Sequence, residues 1–496
     1  MDHPVSRPAP DNGAECMGNN SYPSVAIIGG GLSGAAVAFH LARRHASATL
    51  TVLEPRATIG AGLAYSTPDP AHRINVPAAK MSLIPAEDRH FVDWISRTHA
   101  IADDPEAVSS NGEVYARRIV FGRYVFDHLK PWIASGRIAH VRDSVRAIAR
   151  AGSHWSLQTA SGRTLLADIV VIATTHPAPE VPPILADGLK DDPRLIISDA
   201  MTVSPLSGIE PEARVTIIGT GLTMADTVAS LDRRGHRGTI TAISRRGLLS
   251  RPHATVPYQP FGQFDQSAPY SALDLLRKIR TTIREADALD LQWQAVIDQV
   301  RAQASAFWPK LPETERRKIV QHLRPYWDVH RFRIAPQVQR VIARRRSEGT
   351  FTSRAASVTA AEANADHILL QLRTRGKRAL EEHRTDYVIV TTGPAHSRAV
   401  EVEPHLNSLA SAGWIRADGL GLGIFCDRQG RAISREGQAV SSLLIAGPLA
   451  RATFGELMGL PQVTSYAQEI ANQVIQELDR MRMVGQPMPE QFAKAR

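Results

Sequence analysis

The chain has 496 residues, a formal net charge of +9 at pH 7 and only two cysteines. This length predicts about three domains, and the ordinary content of apolar and charged residues is typical of a globular protein. Cys16 and Cys426 form no C-x-x-C pair, which excludes a dithiol redox centre and a thiolate metal cluster and favours a reducing compartment.

Basic residues cluster at 316–318, 331–333 and 344–346, a pattern that suits nucleic acid or other anions. No nucleic-acid-binding motif accompanies these clusters, and anionic cofactors with an anionic substrate explain them equally well. No apolar run approaches the roughly 20 residues that span a bilayer. We therefore expect a small-molecule substrate, no nucleic acid or membrane partner, and a cytoplasmic location; the oligomeric state is left open.

Residues 1–22 are predicted to be a disordered lead-in, and the first structural unit follows as strand, turn, helix and strand over 24–54. The turn reads Gly29-Gly30-Gly31-Leu32-Ser33-Gly34, and the helix is predicted at 35–45. Such a turn lets the backbone approach a pyrophosphate, which the helix N-terminus then binds. Glu54 ends the second strand, where a carboxylate binds the ribose hydroxyls of FAD or NAD. The predicted cofactor-binding residues of this unit are Gly29, Gly31, Ser33, Gly34 and Glu54.

Glycine and proline punctuate the next segments, which predicts loops at 60–67 and 72–82. Helical patterns follow at 90–99 and 122–135. Alternating strands are predicted over 138–166, and a buried strand over 168–175.

A second glycine turn, predicted within a unit at 214–246, reads Gly219-Thr220-Gly221-Leu222-Thr223-Met224-Ala225. The equivalent of Glu54 is Ser244, and two arginines follow it. Their guanidinium groups suit the 2′-phosphate of NADPH, although they are alternatively solvated surface charges. The predicted ligands of NADPH or NADH are Gly219, Gly221, Thr223, Ser244, Arg245 and Arg246. Met224 departs from the pattern, since glycine or alanine is usual there.

The remaining chain is predicted as a helical insertion at about 250–349, strands at 355–372 and 386–393, a strand at 442–448 and a closing helix at 463–482. Strands at 168–175 and 386–393 both end in small residues, as in flavoproteins where such strands connect two dinucleotide-binding domains. Ordinary buried strands are the alternative.

The fold class is therefore α/β, with two Rossmann-type domains for FAD and NAD(P). The FAD-binding domain is predicted at 23–205 and 393–482. The NAD(P)-binding domain lies between them at 206–392 and contains the helical insertion, and a C-terminal tail follows at 483–496.

These features together resemble the class B flavoprotein monooxygenases, which include flavin-containing monooxygenases, Baeyer–Villiger enzymes and amine N-hydroxylases. Segment 75–94 is similar to the loop that lies along the flavin in that class. Segments 62–67, 122–124, 244–249 and 323–331 resemble a bacterial family of FAD/NAD(P)-binding proteins that includes FAD-dependent urate hydroxylase and an aspartate N-hydroxylase. Arg117 departs from this family, in which proline is frequent at that position.

The resemblance implies an FAD-dependent, NAD(P)H-consuming monooxygenase that oxygenates a small polar nitrogen-containing metabolite, a purine such as urate or an amino acid, through a flavin C4a-(hydro)peroxide. It places the catalytic candidates Asn75, Met81 and Ser82 near the flavin, with a role in packing the loop as the alternative, and it makes Gly447 a cofactor-binding residue on the flavin side. The cluster of Tyr326, Trp327, His330, Arg331 and Arg333 suits stacking on a planar heterocycle and pairing with anionic oxygens, with His330 and Arg331 as catalytic candidates. The alternative is a helix whose aromatic side chains fill the core.

His253 is a further candidate, at the border of the nicotinamide cleft, and no metal site or nucleophilic triad is evident. Two other functions stay open. One is a flavin reductase or dehydrogenase that passes electrons to another acceptor. The other is a non-catalytic flavoprotein that senses redox state. Intact glycines in both turns argue against the second.

Overall fold

A computed structural model describes residues 22–44, 48–198, 205–266, 271–393 and 396–485. The lead-in predicted at 1–22 lies outside the described residues except for Tyr22, and so does the predicted tail from residue 486 onward. Cys16 also lies outside them.

Most predicted strands and helices are present, with bounds that shift by a few residues. The strands are β1 (Ser24–Ile28), β2 (Thr49–Leu53), β3 (Ile138–Val141), β4 (Val145–Ala151), β5 (His154–Thr159), β6 (Thr164–Ala167), β7 (Ile169–Ile172), β8 (Leu195–Ile197), β9 (Val215–Ile218), β10 (Ile240–Ser244), β11 (Phe351–Ala363), β12 (Ile368–Thr374), β13 (Leu380–Thr385), β14 (Tyr387–Val390), β15 (Arg431–Ile433) and β16 (Ala439–Ile445). The helices are α1 (Leu32–Arg43), α2 (Gly62–Tyr65), α3 (His90–Thr98), α4 (Arg118–Ala134), α5 (Pro183–Gly188), α6 (Leu222–Arg233), α7 (Ala272–Asp287), α8 (Trp293–Phe307), α9 (Glu313–Lys318), α10 (Arg324–Arg331), α11 (Pro336–Ser347), α12 (Ala399–Val402), α13 (Pro404–Ser411), α14 (Arg451–Phe454) and α15 (Gln462–Gly485).

The first sheet has the strand order β15-β16-β7-β1-β2-β3. Strand β1 pairs in parallel with both β2 and β7, and β16 returns from the end of the chain to pair in parallel with β7. Helix α1 packs against α15 and α4 and buries an almost continuous run of small residues. Small side chains let the helix lie close to the sheet, which brings its N-terminus to the glycine turn.

The second sheet has the order β13-β12-β11-β10-β9-β14-β8. Strands β11, β10, β9, β14 and β8 are parallel, and β12 and β13 add an antiparallel edge. Because β8 pairs with β14, the chain has already entered this sheet by residue 195. The boundary predicted at residue 205 is therefore late. A strand of only three residues carries too little periodicity to show which sheet it joins.

Helices α7 to α11 form the predicted insertion, although the chain between 245 and 264 has no described helix or strand. A π-helical stretch at Ile319–Leu323 joins α9 to α10. The loop predicted at 60–67 instead contains α2, whose first residue, Gly62, has a φ of +52° and lies against Gly31. Within the described ranges, no helix has both the length and the apolarity needed to cross a membrane.

Candidate functional site

The first glycine turn is closed by backbone contacts that leave no space for side chains. Gly29 has a φ of +95°, and a Cβ atom there would lie 2.8 Å from the carbonyl oxygen of Ala173. A Cβ atom on Gly34 would lie 1.9 Å from the carbonyl oxygen of Gly29. Gly31 begins α1 without a side-chain cap, and no acidic residue occupies the first helical turn. The unpaired N–H groups and the positive end of the helix dipole therefore suit a phosphate group.

Glu54 lies beside this turn, where the ribose carboxylate was predicted. Its side chain is buried, one carboxylate oxygen accepts a hydrogen bond from Gly30 N at 2.9 Å, and the other accepts one from Arg56 Nη1 at 3.0 Å. An ionised carboxylate has about four acceptor positions, so further hydrogen bonds from ribose hydroxyls are compatible with this arrangement.

The second glycine turn repeats the geometry of the first. Gly219 has a φ of +124°, and a Cβ atom there would lie 2.5 Å from Thr391 Oγ1. Gly221 begins α6 without a side-chain cap, and a Cβ atom on it would meet no atom within 4 Å. This open space above the helix N-terminus fits a second pyrophosphate. Thr223 lies in the first turn of α6, while the unusual Met224 is buried in the core.

Ser244, Arg245 and Arg246 lie at the end of β10, beside the second turn. Ser244 Oγ accepts hydrogen bonds from Thr220 Oγ1 at 2.8 Å and Gly247 N at 3.0 Å, so it holds the two loops together. Arg245 is exposed, and the Arg246 guanidinium lies over the ring of Tyr326 at 5.6 Å. Neither arginine forms an ion pair with a described residue, which leaves both charges available to a 2′-phosphate.

A cavity of about 580 Å³ lies between the helical insertion and segment 422–458. Its walls are mainly apolar, and charged side chains line one part of it. The apolar residues include Leu275, Ile279, Ile283, Val300, Phe307 and Trp327, and the charged ones include Arg324, Asp328, Arg451 and Glu456. Cavities of this size, apolar with a few polar groups, are typical of small-molecule sites.

Two residues that line the cavity lie near the two nucleotide-binding units, although no residue of either glycine turn lines it. On one side, Gly447 has a φ of +72° and packs against Ser33, since an added Cβ atom would lie 2.3 Å from Ser33 Oγ. Helix α14 begins shortly after Gly447, and its first residue, Arg451, lines the cavity. On the other side, Tyr326 lines the cavity and contacts Arg246. Arg451 and Tyr326 therefore connect the cavity to the neighbourhoods of the first and the second glycine turn, respectively.

The predicted flavin loop, segment 75–94, contacts the segment that follows β10 and the second glycine turn. His253 Nε2 donates a hydrogen bond to the carbonyl oxygen of Asn75 at 3.0 Å. Burial lowers the pKa of His253 to about 4, so its ring is neutral at neutral pH. Met81 and Ser82 are buried, and Ser82 Oγ donates to the carbonyl oxygen of Ile84 at 2.7 Å. Neither is among the residues lining the cavity.

Some residues of the aromatic and basic cluster on α10 line the cavity, and others pack behind it. Tyr326, Trp327 and His330 line the cavity, and the His330 ring lies edge-on to Trp293 with centroids 5.0 Å apart. Arg331 does not line it: its buried Nε donates to Glu456 Oε2 at 2.7 Å. The Arg331 charge is therefore already partnered, which suits a positioning role better than the predicted pairing with substrate oxygens.

Several cavity residues were not singled out from the sequence. Arg324 and Asp328 lie within segment 323–331, which carries the family resemblance. The substrate site was predicted there from the aromatic residues and from His330 and Arg331, and not from this pair. Arg451 lies four residues after Gly447. This spacing of about one helical turn could have indicated that Arg451 lies near the predicted flavin-side turn. Glu456 carries no local signal, because its role depends on contacts with Arg331 and Trp327.

Residues 26–177 match a family model described as FAD-NAD(P)-binding. No protein of curated function has significant sequence similarity to the chain. Among solved structures, the reduced form of ornithine hydroxylase from Pseudomonas aeruginosa has a TM-score of 0.60 and 17% identity, and the match covers 92% of this chain and 100% of that chain. Ornithine N-hydroxylase from Kutzneria sp. 744 has a TM-score of 0.60 and 16% identity, covering 93% of this chain and 100% of that chain. L-lysine 6-monooxygenase from Pseudomonas syringae has a TM-score of 0.59 and 18% identity, covering 92% of this chain and 99% of that chain.

At these identities the solved structures establish the fold, which is that of flavoprotein monooxygenases with two Rossmann-type domains. The fold class and the resemblance predicted from the sequence are confirmed at this level. The family match confirms the predicted cofactor class, FAD with NAD(P). The predicted roles of individual site residues stay predictions.

Proposed function

We propose that this protein is an FAD-dependent, NAD(P)H-consuming monooxygenase that oxygenates a nitrogen atom of a small metabolite. The observation that carries the proposal is the 580 Å³ cavity, whose lining residue Arg451 follows the turn at Gly447 and whose lining residue Tyr326 contacts Arg246. A substrate in this cavity is close to both predicted nucleotide sites. The names of the similar structures, which are hydroxylases or monooxygenases of ornithine and lysine, support oxygenation at nitrogen.

Bound FAD would supply the redox chemistry, namely acceptance of a hydride and activation of oxygen. The residues of this chain bind, orient and exclude water. The N-termini of α1 and α6 would hold the two pyrophosphates, Glu54 would hold the ribose of FAD, and Arg245 and Arg246 would hold the 2′-phosphate of NADPH. Apolar side chains of α7 and α8 keep the cavity dry, which protects a reactive oxygen species from water.

The first experiment follows flavin absorbance of the purified protein without oxygen, then with air. Bleaching by NADPH or NADH, followed by hydroxylated product in proportion to the NAD(P)H consumed, is the expected result with amino acids or purines. Hydrogen peroxide in the same proportion with every candidate substrate would instead indicate a reductase or dehydrogenase. A flavin that neither nucleotide bleaches would indicate a non-catalytic flavoprotein.

Alanine at either Arg245 or Arg246 is expected to raise the KM for NADPH by roughly 10- to 100-fold, because one hydrogen bond between charged groups contributes about 1.5–3 kcal/mol. The KM for NADH should change little, since NADH carries no 2′-phosphate. Steady-state flavin reduction with each nucleotide measures both values. Arg378, an exposed arginine in the loop between β12 and β13, provides the matched control as Arg378→Ala. Equal losses with both nucleotides would contradict a 2′-phosphate site.

A further inference from the structure

The wall of the cavity contains a buried cation without a partner. Arg451 is only 6% exposed, and neither Nε nor Nη2 of its guanidinium has a hydrogen-bond partner among the described residues. An arginine buried in this way is costly unless a carboxylate or another acceptor compensates its charge. Arg451 lines the cavity, so a bound ligand can supply that acceptor.

The nearby carboxylates are already engaged by other cations. Asp328 Oδ2 accepts from Arg324 Nε at 3.3 Å. Glu456 accepts from Arg331 Nε and from Trp327 Nε1, both at 2.7 Å. Burial and the neighbouring charge of Arg324 lower the pKa of Arg451 to about 10, so its guanidinium is still protonated at neutral pH. Counting Arg331 behind the wall, three arginines and two carboxylates lie here, which leaves an excess of one positive charge.

A histidine pair lies beside Arg451. His176 and His396 follow the two crossing strands, β7 and β14, and their ring centroids are 4.1 Å apart in an edge-to-face contact. His176 Nε2 donates to the carbonyl oxygen of Leu422, a cavity residue, while the buried Nδ1 of His396 has no partner among the described residues. Burial, with Arg451 nearby, lowers the pKa of His176 to about 4 and of His396 to about 2. Both rings are therefore neutral, and the positive charge rests on the arginines.

The opposite wall has a different chemistry. Helices α7 and α8 contribute Leu275, Ile279, Ile283, Val300 and Phe307 to the cavity, and α7 adds one charged residue, the exposed Arg280. A wholly polar ligand would leave this surface without apolar contacts, whereas an apolar body would be removed from water there. The cavity is thus complementary to a ligand with an anionic end and an apolar body.

We infer that the cavity binds a carboxylate with an apolar body, its anionic end held by Arg451 and by the Nη groups of Arg324, whose Nε already donates to Asp328, and its body against α7 and α8. The inference rests on the proposed function and names the substrate class of that site: an amino acid with a large apolar side chain. This differs from the small polar metabolite that the sequence suggests. Urate has no carboxylate, and aspartate has no apolar body to fill the far wall.

Binding can be tested without turnover, on the oxidised flavoprotein in isothermal titration calorimetry. The probes are octanoate, 2-aminooctanoate, octylamine, aspartate and urate. We expect the first two to bind at least about tenfold more tightly than the other three, because only they combine a carboxylate with an apolar chain. Equal affinity for octanoate and octylamine, or tightest binding of aspartate or urate, would overturn the inference.

Two variants separate the ends of the cavity. R451Q removes the charge but keeps a polar side chain, and should weaken octanoate at least about tenfold while leaving octylamine unchanged. I279W fills the apolar end and should weaken both ligands equally. Should R451Q fail to fold, R324Q tests the same selectivity. An unchanged affinity for octanoate in folded R451Q, or in R324Q if that variant must stand in for it, refutes the assignment.

The two proposals fail in different ways. Arginine-dependent binding of octanoate by a protein that never couples NAD(P)H oxidation to oxygenation would leave the carboxylate site intact and remove the monooxygenase function. Coupled oxygenation of aspartate or urate at an unchanged rate in R451Q would leave the monooxygenase function intact and remove the carboxylate site.

Discussion

Gly34→Ala is expected to abolish FAD binding and to lower the thermal stability of the protein. A Cβ atom at this position would lie 1.9 Å from the carbonyl oxygen of Gly29. The obstructing atom belongs to the backbone of the same turn, so it cannot move aside as a flexible side chain would. Helix α1 would have to shift away from β1, and overpacking of this kind costs about 1–3 kcal/mol or more. The measurements are the flavin content of the purified protein and its thermal midpoint.

Gly221→Ala is the matched control, because it makes the same chemical change in the second fingerprint. A Cβ atom there meets nothing within 4 Å, and the φ of −84° suits alanine. We expect this variant to keep its flavin and its thermal midpoint but to bind NADPH more weakly, since the methyl group occupies space needed by the pyrophosphate. Full flavin content in Gly34→Ala would show that the first turn does not hold FAD. Flavin loss in both variants would show that the effect is not specific.

The two fingerprints were predictable because their signals are local. Each fingerprint consists of an apolar strand, a turn that only glycine can adopt and a helix without a cap. These three features occur in consecutive residues, as around Gly29 and Gly219. The crossing strands β7 and β14 were predictable for the same reason, since each is a short apolar run that ends in small residues. These elements also define the fold, because the strands that carry them are interior strands of the two sheets.

The cavity was not predictable from local signals. Arg451 and Tyr326 are distant in sequence, and only the packing of the helical insertion against segment 422–458 brings them to one cavity. The contact between His176 and His396 likewise depends on both crossing segments meeting in space. The basic residues at 331–333 suggested substrate pairing, whereas Arg331 and Arg333 bind Glu456 and Asp298. Charge in a sequence does not reveal which charges remain unpaired after folding.

Acidification from pH 7 to pH 4 is expected to remove much of the stability of the fold. Burial lowers the pKa of His40, His176, His253 and His405 from 6.5 to about 4. The unfolded chain therefore binds more protons than the folded one between these values. The contribution of these neutral histidines to the free energy of unfolding is complete above pH 6.5 and is lost as pH falls through about 4. Each histidine contributes up to about 3 kcal/mol, against a total of roughly 5–15 kcal/mol for a typical domain. Burial raises the pKa of Asp328, Asp418 and Glu403, which offsets part of the loss at the acid end.

The double variant His40→Gln/His405→Gln tests this origin of acid sensitivity. Both histidines are buried, at 4% and 5% exposure, and glutamine keeps a polar side chain that takes up no proton. Removing two titrating groups should reduce the slope of unfolding free energy against pH by about 2.7 kcal/mol per pH unit between pH 6 and 4.5. Urea unfolding at a series of pH values, followed by tryptophan fluorescence, gives that slope. His322→Gln, at an exposed position, should leave it unchanged. An unaltered slope in the double variant would contradict the assignment to His40 and His405 and would mean that other groups, such as His176 and His253, take up the protons that unfold the protein.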